Sequence, residues 1–76
     1  MSIMTQNEIV RANIKYYMAL NNLTAEKIER KTGISVRSIK EYRSTGHIAS
    51  TDKLMTLCKV FGCTPNGILL ERKEEA

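Results

Sequence analysis

Apolar residues recur along the chain at the spacing of an amphipathic helix, and no stretch alternates apolar and polar residues for long enough to suggest a strand. The pattern divides into five segments separated by glycine, asparagine and proline signals. The first segment runs from about Asn7 to Leu20 and ends at Asn21 and Asn22. Its apolar positions are Val10, Ile14, Tyr17 and Met18.

Two short helices are predicted after this first one. Thr24 is a favourable N-cap residue, and the segment that follows it runs to Thr32, immediately before Gly33. Gly33 can adopt the left-handed backbone conformation that a sharp turn requires. Ser35 is the predicted cap of the third helix, which ends near residues 44–46 and turns Ile39 and Tyr42 inward.

The last two segments are also helical. Ser50 and Asp52 are typical of a fourth helix start, and Gly62 is typical of its end. Thr64 followed by Pro65 predicts a short fifth helix, because proline is favoured at the first helical position. The apolar positions of these segments are Leu54, Leu57, Cys58, Phe61, Ile68, Leu69 and Leu70.

The second and third helices, joined through Gly33 and Ile34, suit a DNA-reading helix-turn-helix, although spacing alone also fits a generic helical hairpin. The residues resemble the phage repressor and Cro type of this motif, whose common pattern is Leu-Thr-Gln-Glu-x-Leu-Ala-x-x-x-Gly-Val-Ser-x-x-x-Ile-x-x-Trp-Glu. At the same spacing the chain reads Leu23-Thr24-Ala25-Glu26-Lys27-Ile28-Glu29-Arg30-Lys31-Thr32-Gly33-Ile34-Ser35-Val36-Arg37-Ser38-Ile39-Lys40-Glu41-Tyr42-Arg43. The similarity covers roughly residues 9–70, because residues 50–62 resemble the family's fourth helix and Ile68-Leu69 the start of its fifth.

The resemblance implies an all-α fold: a compact five-helix lambda-repressor-like domain with the helix-turn-helix on helices 2 and 3. We expect a single domain over residues 1–76, folded from about residue 7 to residue 70, with a short polar N-terminus and a charged C-terminal tail that frays. The implied function is that of a sequence-specific DNA-binding transcriptional regulator, which places helix 3 in the major groove of an operator.

Three departures from the family pattern fall where the family touches DNA or braces the motif. Ala25 replaces the glutamine that opens the second helix and holds the DNA backbone, so one contact is expected to be missing. Glu29 replaces a small alanine, so its carboxylate must leave the helix interface or pair with a cation such as Arg37. Met18 and Arg43 stand where the family has a bracing arginine and glutamate, which predicts a packed Met18 and an Arg43 freed from pairing.

The charge of the chain is compatible with a nucleic-acid partner. The formal charge is +4 overall, and residues 1–70 hold ten Lys or Arg and five Asp or Glu, which gives +5. Basic groups near phosphates gain by releasing condensed counterions. A mild basic charge is also common in small soluble domains, so charge by itself does not decide the function.

On the third helix, Ser35, Val36, Arg37 and Lys40 are predicted to face outward and to read bases. Arg37 can contact guanine with two hydrogen bonds, although a salt bridge to Glu41 is the alternative. Val36 can pack on a thymine methyl group or anchor a protein partner. The residues predicted to contact phosphates, each of which can also be simply solvated, are Thr24, Lys27, Lys31, Ser38, Arg43, Ser44, His47 and Lys53.

Two hypotheses about partners remain open. Ile68, Leu69 and Leu70 are predicted to form a homodimer contact, unless at least two of them complete the core. The second hypothesis is a modulator or antirepressor that pairs with another phage repressor through surfaces such as Val36 and Glu29. Three carboxylates inside the motif, Glu26, Glu29 and Glu41, favour it because they would weaken DNA binding and could pair with a basic partner.

Other function classes find little support in the sequence. No nucleophile has a histidine at a plausible spacing, and no phosphate-cradling glycine loop is present, so catalysis is not expected. Cys58 and Cys63 lack the spacing of a metal or redox site, which predicts reduced core thiols and no metal or cofactor. No secretory signal or membrane-length apolar run is visible, so a cytoplasmic location is expected.

Overall fold

The computed structural model describes residues 4–72 and folds them into five helices joined by short turns. Each helix begins and ends within a residue or two of its predicted position, and the predicted all-α architecture is confirmed. No helix within residues 4–72 is long and apolar enough to cross a membrane. The last residues of the predicted charged tail lie outside the described part of the chain. The helices are α1 (Gln6–Leu20), α2 (Ala25–Thr32), α3 (Val36–Thr45), α4 (Thr51–Phe61) and α5 (Pro65–Leu69).

Hydroxyl side chains fix the starts of the middle three helices. Thr24, Ser35 and Ser50 lie at the N-caps of α2, α3 and α4. Each hydroxyl accepts a hydrogen bond from the backbone N–H three residues further on, which satisfies one of the donors left unpaired at a helix start. The sequence therefore determines locally where each of these three helices begins.

The centre of the core is built from one aliphatic side chain of every helix. These five side chains are each less than 2% exposed. Burial of a large aliphatic side chain contributes about 1.5–3 kcal/mol, so this cluster is a major part of the stability of so small a domain. Its members are Ile14, Ile28, Ile39, Leu57 and Ile68.

The short helix α5 is held against α1 by an amide that the sequence pattern did not single out. Asn13 is 3% exposed, and its Nδ2 donates to the carbonyl oxygens of Ile68 and Leu70 at 2.8 Å each. Gln6 adds a donor to the carbonyl of Leu69 at 2.6 Å. These bonds satisfy carbonyls that a five-residue helix cannot pair internally.

This packing corrects part of the predicted dimer contact. Ile68 is fully buried, so it completes the core and cannot contact a second chain. Leu69 is half-buried against the core, and Leu70 is 59% exposed. Of the three predicted contact residues, only Leu70 offers most of its side chain to a partner.

The cysteines lie where α4 ends and α5 begins. Cys58 is buried and Cys63 is half-buried, and both are free thiols, as predicted. Burial and the neighbouring Cys58 raise the pKa of the Cys63 thiol to about 11, and burial also raises the pKa of Cys58. Both thiols are therefore protonated at neutral pH. Tyr17 stacks on Phe61 beside them, with ring centroids 5.8 Å apart.

Two glycines with left-handed backbone conformations terminate α2 and α3, but they differ in their surroundings. Gly33 has φ 82° and open space where a Cβ would lie. Gly46 has φ 77° and lies against the first turn of α1, where a Cβ would lie 2.7 Å from the carbonyl carbon of Asn7. Gly46 therefore serves both the turn and the close approach of the α3–α4 loop to α1.

The Gly46→Ala variant is expected to lose much more stability than Gly33→Ala. The left-handed conformation alone costs a non-glycine residue about 1–2 kcal/mol, which is the loss expected for Gly33→Ala. Gly46→Ala should lose a further amount of about 1–3 kcal/mol, because the added methyl group overlaps the backbone of α1. Urea unfolding of both variants measures the difference, and equal losses would contradict the packing described for Gly46.

Candidate nucleic-acid interface

Hydrogen bonds from side chains and backbone hold the turn between α2 and α3. Thr32 donates its hydroxyl to the carbonyl of Ile28 at 2.7 Å and accepts from the backbone N–H of Ile34 at 3.1 Å. The N–H of Gly33 donates to the carbonyl of Glu29 at 2.8 Å. Ile34 itself is 6% exposed and joins the core. These contacts fix the angle at which α3 leaves α2.

The outer face of α3 carries a strip of polar residues. Ile39 and Tyr42 are buried, and with about 100° of rotation per residue the opposite side of the helix holds four exposed residues. This reading strip consists of Arg37, Lys40, Glu41 and Ser44. Arg37 and Lys40 are thus exposed on one face, as predicted, and they share it with the carboxylate of Glu41.

Val36 was expected to face outward, and this expectation is wrong in part. Val36 is half-buried and packs against the core. It lies in the first turn of α3, on the edge between the buried face and the reading strip, so only part of its side chain can reach a ligand.

The hydroxyls at the start of α3 bond to each other. Ser35 Oγ accepts from the backbone N–H of Ser38 at 3.1 Å and donates to Ser38 Oγ at 3.0 Å. Ser35 is exposed and Ser38 is half-buried. A ligand at this helix start would therefore meet hydroxyls that are already oriented by the cap.

The exposed surface of α2 is divided by charge. Ala25 and Ile28 are buried, and helical spacing places Lys27 and Lys31 on one flank of them and Glu26 and Glu29 on the other. Glu29 is exposed, so its carboxylate has left the helix interface, which was one of the two expected outcomes. No ion pair joins it to Arg37 within residues 4–72, and none joins Arg37 to Glu41.

The basic flank of α2 faces a groove that three helices share. Lys27 and Arg43, both predicted phosphate contacts, line it together with Lys15 of α1, in a volume of about 660 Å³. A second groove of about 470 Å³ continues along α2 past Arg30 and Lys31. The sequence pattern assigned no role to Lys15 or Arg30, because only the packing of α1 and α2 on α3 brings these helices together at one groove.

Met18 and Arg43 both line this same groove. Met18 is 5% exposed and Arg43 is half-buried. The prediction that Met18 packs is confirmed. Within the described residues Arg43 makes no ion pair, in accord with an arginine freed from pairing.

The remaining predicted phosphate contacts lie apart from the groove, except for Thr24, which lines it. Ser44 ends the reading strip, and Lys53 is exposed in the first turn of α4. His47 follows α3 and borders a small apolar cleft of about 120 Å³ beside Gly46 and Leu54. The structure thus brings Thr24, Lys27 and Arg43 together and leaves His47 and Lys53 on the α3–α4 side.

Comparison with protein families identifies the class of this domain. A family model described as the Cro/C1-type HTH DNA-binding domain matches residues 13–71, from the middle of α1 to beyond α5. The chain belongs to this family. Searches of curated proteins and of solved structures returned no match.

Within this Cro/C1-type domain, Ala25 changes the start of α2. Its side chain is 2% exposed and joins the core. The glutamine of the family pattern would offer a polar group at this position, whereas Ala25 offers only a methyl group to the interior. The helix start therefore depends on Thr24 and on backbone N–H groups for any contact with an anion.

Two substitutions of Ser35 distinguish its contribution to the stability of this Cro/C1-type domain from its contribution to DNA binding. Ser35→Ala should lower the free energy of unfolding by about 1 kcal/mol, because the cap of α3 is lost. Ser35→Asp keeps a capping acceptor, so stability is retained, but it puts a carboxylate at the start of the reading helix and should weaken DNA binding. Urea unfolding and fluorescence anisotropy with a labelled duplex measure the two effects; undiminished DNA binding by Ser35→Asp would remove Ser35 from the interface.

Proposed function

We propose that this Cro/C1-type domain is a sequence-specific transcriptional regulator of the phage or prophage repressor kind, which inserts α3 into the major groove of an operator. The observation that supports the proposal is the exposed reading strip on α3. The hydrogen-bonded turn between the two helices holds this strip beside the basic flank of α2. An α-helix fits the major groove of B-DNA, and the second helix of this motif is the one that reads it.

Base reading rests mainly on Arg37 and Lys40. Arg37 has the planar donor fork that matches O6 and N7 of guanine, and Lys40 reaches a base edge or a nearby phosphate. Ser35 lies at the end of α3 that enters the groove first. Val36 can offer the exposed edge of its side chain to a thymine methyl group.

Phosphate contacts position the reading helix. Lys27 and Lys31, one turn apart on α2, and Lys53 at the start of α4 are exposed cations at three separate positions, so they can contact separate phosphates. Each neutralised phosphate contributes about 0.9 to the slope of log affinity against log salt concentration. Further contacts of this class are proposed for Thr24, Ser38, Arg43, Ser44 and His47.

Homodimerisation would double the contact area between protein and DNA, because each copy would bind one half-site. Repressors of this type bind two half-sites about 34 Å apart, one turn of DNA. Leu70, which is 59% exposed, and the adjoining half-buried Leu69 are the candidate contacts. A dimer on such a site would repress by excluding polymerase.

The second candidate is a modulator that pairs with another phage repressor and alters its DNA binding. Glu26 and Glu29, which form the acidic flank of α2, favour it because both are exposed and neither makes an ion pair within residues 4–72. A basic partner surface would complement this flank, whereas DNA would be repelled by it.

Selection from a pool of randomised duplexes tests the DNA-binding proposal and requires no known operator. An enriched sequence, followed by affinity measurements over a range of salt concentrations, would establish sequence recognition. Weak, salt-sensitive binding without enrichment would contradict it and direct attention to a partner protein.

Arg37 variants test the proposed base contact. Arg37→Ala should lose about 1–3 kcal/mol of discrimination at one base pair of the selected site. Arg37→Lys is the matched control: it keeps the charge and the binding to random duplex, but loses the bidentate geometry and therefore most of the discrimination. Unchanged discrimination in both variants, measured by competition between selected and substituted duplexes, would exclude Arg37 as a base-reading residue.

Two carboxylate variants distinguish DNA from a protein partner. If DNA is the target, Glu41→Gln should raise duplex affinity more than Glu29→Gln, because Glu41 lies in the reading strip and Glu29 on the acidic flank of α2. If a basic repressor is the target, Glu29→Gln should instead weaken capture of that repressor. Anisotropy titrations and pull-down with a purified phage repressor measure the two effects.

A further inference from the structure

The end of α4 brings Cys58 and Cys63 together. Gly62 has the left-handed conformation, with φ 72° and ψ 35°. The backbone N–H of Cys63 donates to the carbonyl oxygen of Cys58 at 3.0 Å, and that of Gly62 donates to the carbonyl oxygen of Lys59 at 3.3 Å. These two bonds form a Schellman ending, in which the side chains of the first pair of residues frequently contact each other. Because both members of that pair are cysteines, the cap places one thiol beside another.

The two thiols form a pair at the junction of α4 and α5. The thiol of Cys63 hydrogen-bonds to that of Cys58. Cys58 is 3% exposed, whereas Cys63 is half-buried, with its Sγ 3.6 Å from the point where a Cβ of Gly67 would lie. The pair is not part of a larger ligand set, since no group of three or more His, Cys, Asp or Glu side chains within residues 4–72 could hold a metal ion.

We propose that Cys58 and Cys63 are a reversible modification site, at which a low-molecular-weight disulfide of the glutathione type converts the two thiols into one intramolecular disulfide. A disulfide requires two residues that are close together and Cβ atoms that point toward each other. The hydrogen bonds of the cap supply the first condition, and the contact between the thiols supplies the second. The reading helix α3 packs chiefly on α1 and α2, so this modification is independent of DNA binding.

The reaction proceeds in two exchanges. The more exposed thiol, Cys63, loses its proton, and its thiolate attacks one sulfur of the reagent RSSR. This attack forms a mixed disulfide and releases RS⁻, which takes up a proton to give one RSH. The thiolate of Cys58 then attacks Sγ of Cys63, which forms the protein disulfide and releases the second RSH. Two protein thiols are oxidised, one RSSR is reduced to two RSH, and an excess of RSH reverses both steps.

The burial of the thiols determines the rate and its pH dependence. Only a thiolate attacks a disulfide, and burial together with the adjacent Cys58 raises the pKa of Cys63 to about 11. The thiolate fraction at neutral pH is therefore small, and exchange should accelerate about tenfold per pH unit until the pH approaches that pKa. The site thus responds to a sustained change in the balance of thiols and disulfides, and not to a brief one.

Equilibration of the reduced chain with mixtures of oxidised and reduced glutathione, in buffer and in concentrated urea, tests this modification. We expect a folded product that has lost two hydrogen atoms by intact mass. Its equilibrium constant of formation should be at least about tenfold larger for the folded chain than for the unfolded chain. Each factor of ten corresponds to about 1.4 kcal/mol of extra stability in the oxidised form, and urea unfolding of the two forms measures this difference independently.

Single-cysteine variants serve as controls for the two exchanges. Cys58→Ala should stop at the mixed disulfide on Cys63, whereas Cys63→Ala should react at least about tenfold more slowly, because only the buried thiol remains. A wild-type chain that stops at the mixed disulfide, links two chains, or forms the bond no more favourably when folded than in urea would overturn the proposal. Loss of the dispersed amide signals in the NMR spectrum of the oxidised chain would also overturn it, since the bond would then not fit the folded cap.

Discussion

Burial of five aliphatic side chains in one core cluster, one from each helix, is the interaction on which the rest of the structure depends. Ile28 of α2 and Ile39 of α3 share this cluster with Ile14 of α1, and Leu57 and Ile68 complete it from α4 and α5. Because a helix rotates its side chains by a fixed angle per residue, anchoring one position determines which residues face solvent. The reading strip on α3 and the two charged flanks of α2 are consequences of this packing.

Charged side chains then divide the surface of the helix-turn-helix into a basic side and an acidic side. Basic residues from α1, α2 and α3 gather at one side of α2, while Glu26 and Glu29 lie on its other flank. The family pattern would place a bracing ion pair at Met18 and Arg43, whereas here an apolar contact and an unpaired arginine take its place. An ion pair of opposite charges contributes little net field, so replacing it by a single cation leaves a net positive charge in the groove.

Most of the fold could be predicted from the sequence because its signals are local. Capping hydroxyls, terminal glycines and Pro65 mark the helix ends, and the structure places the ends where those residues stand. The roles of Val36 and Ile68 were harder to predict, because both lie at positions where rotation about the helix alone leaves the degree of burial undecided. The neighbouring helices bury Ile68 fully and Val36 by half. The candidate site could be predicted only where it lies on the motif itself: Lys15 belongs to α1 and joins Arg43 in the groove through tertiary packing, so spacing along the chain gives no sign of it.

The surface formed by α3 and the basic flank of α2 is the one that we propose meets DNA. The most direct measurement is an NMR titration of the isotope-labelled domain with a duplex, which follows the backbone amides together. We expect the largest shifts at residues 35–44, with smaller ones around Thr24, Lys27 and Lys53, and little change in the last turn of α4. Shifts confined to the acidic flank of α2, or an unchanged α3 under saturating duplex, would contradict this assignment.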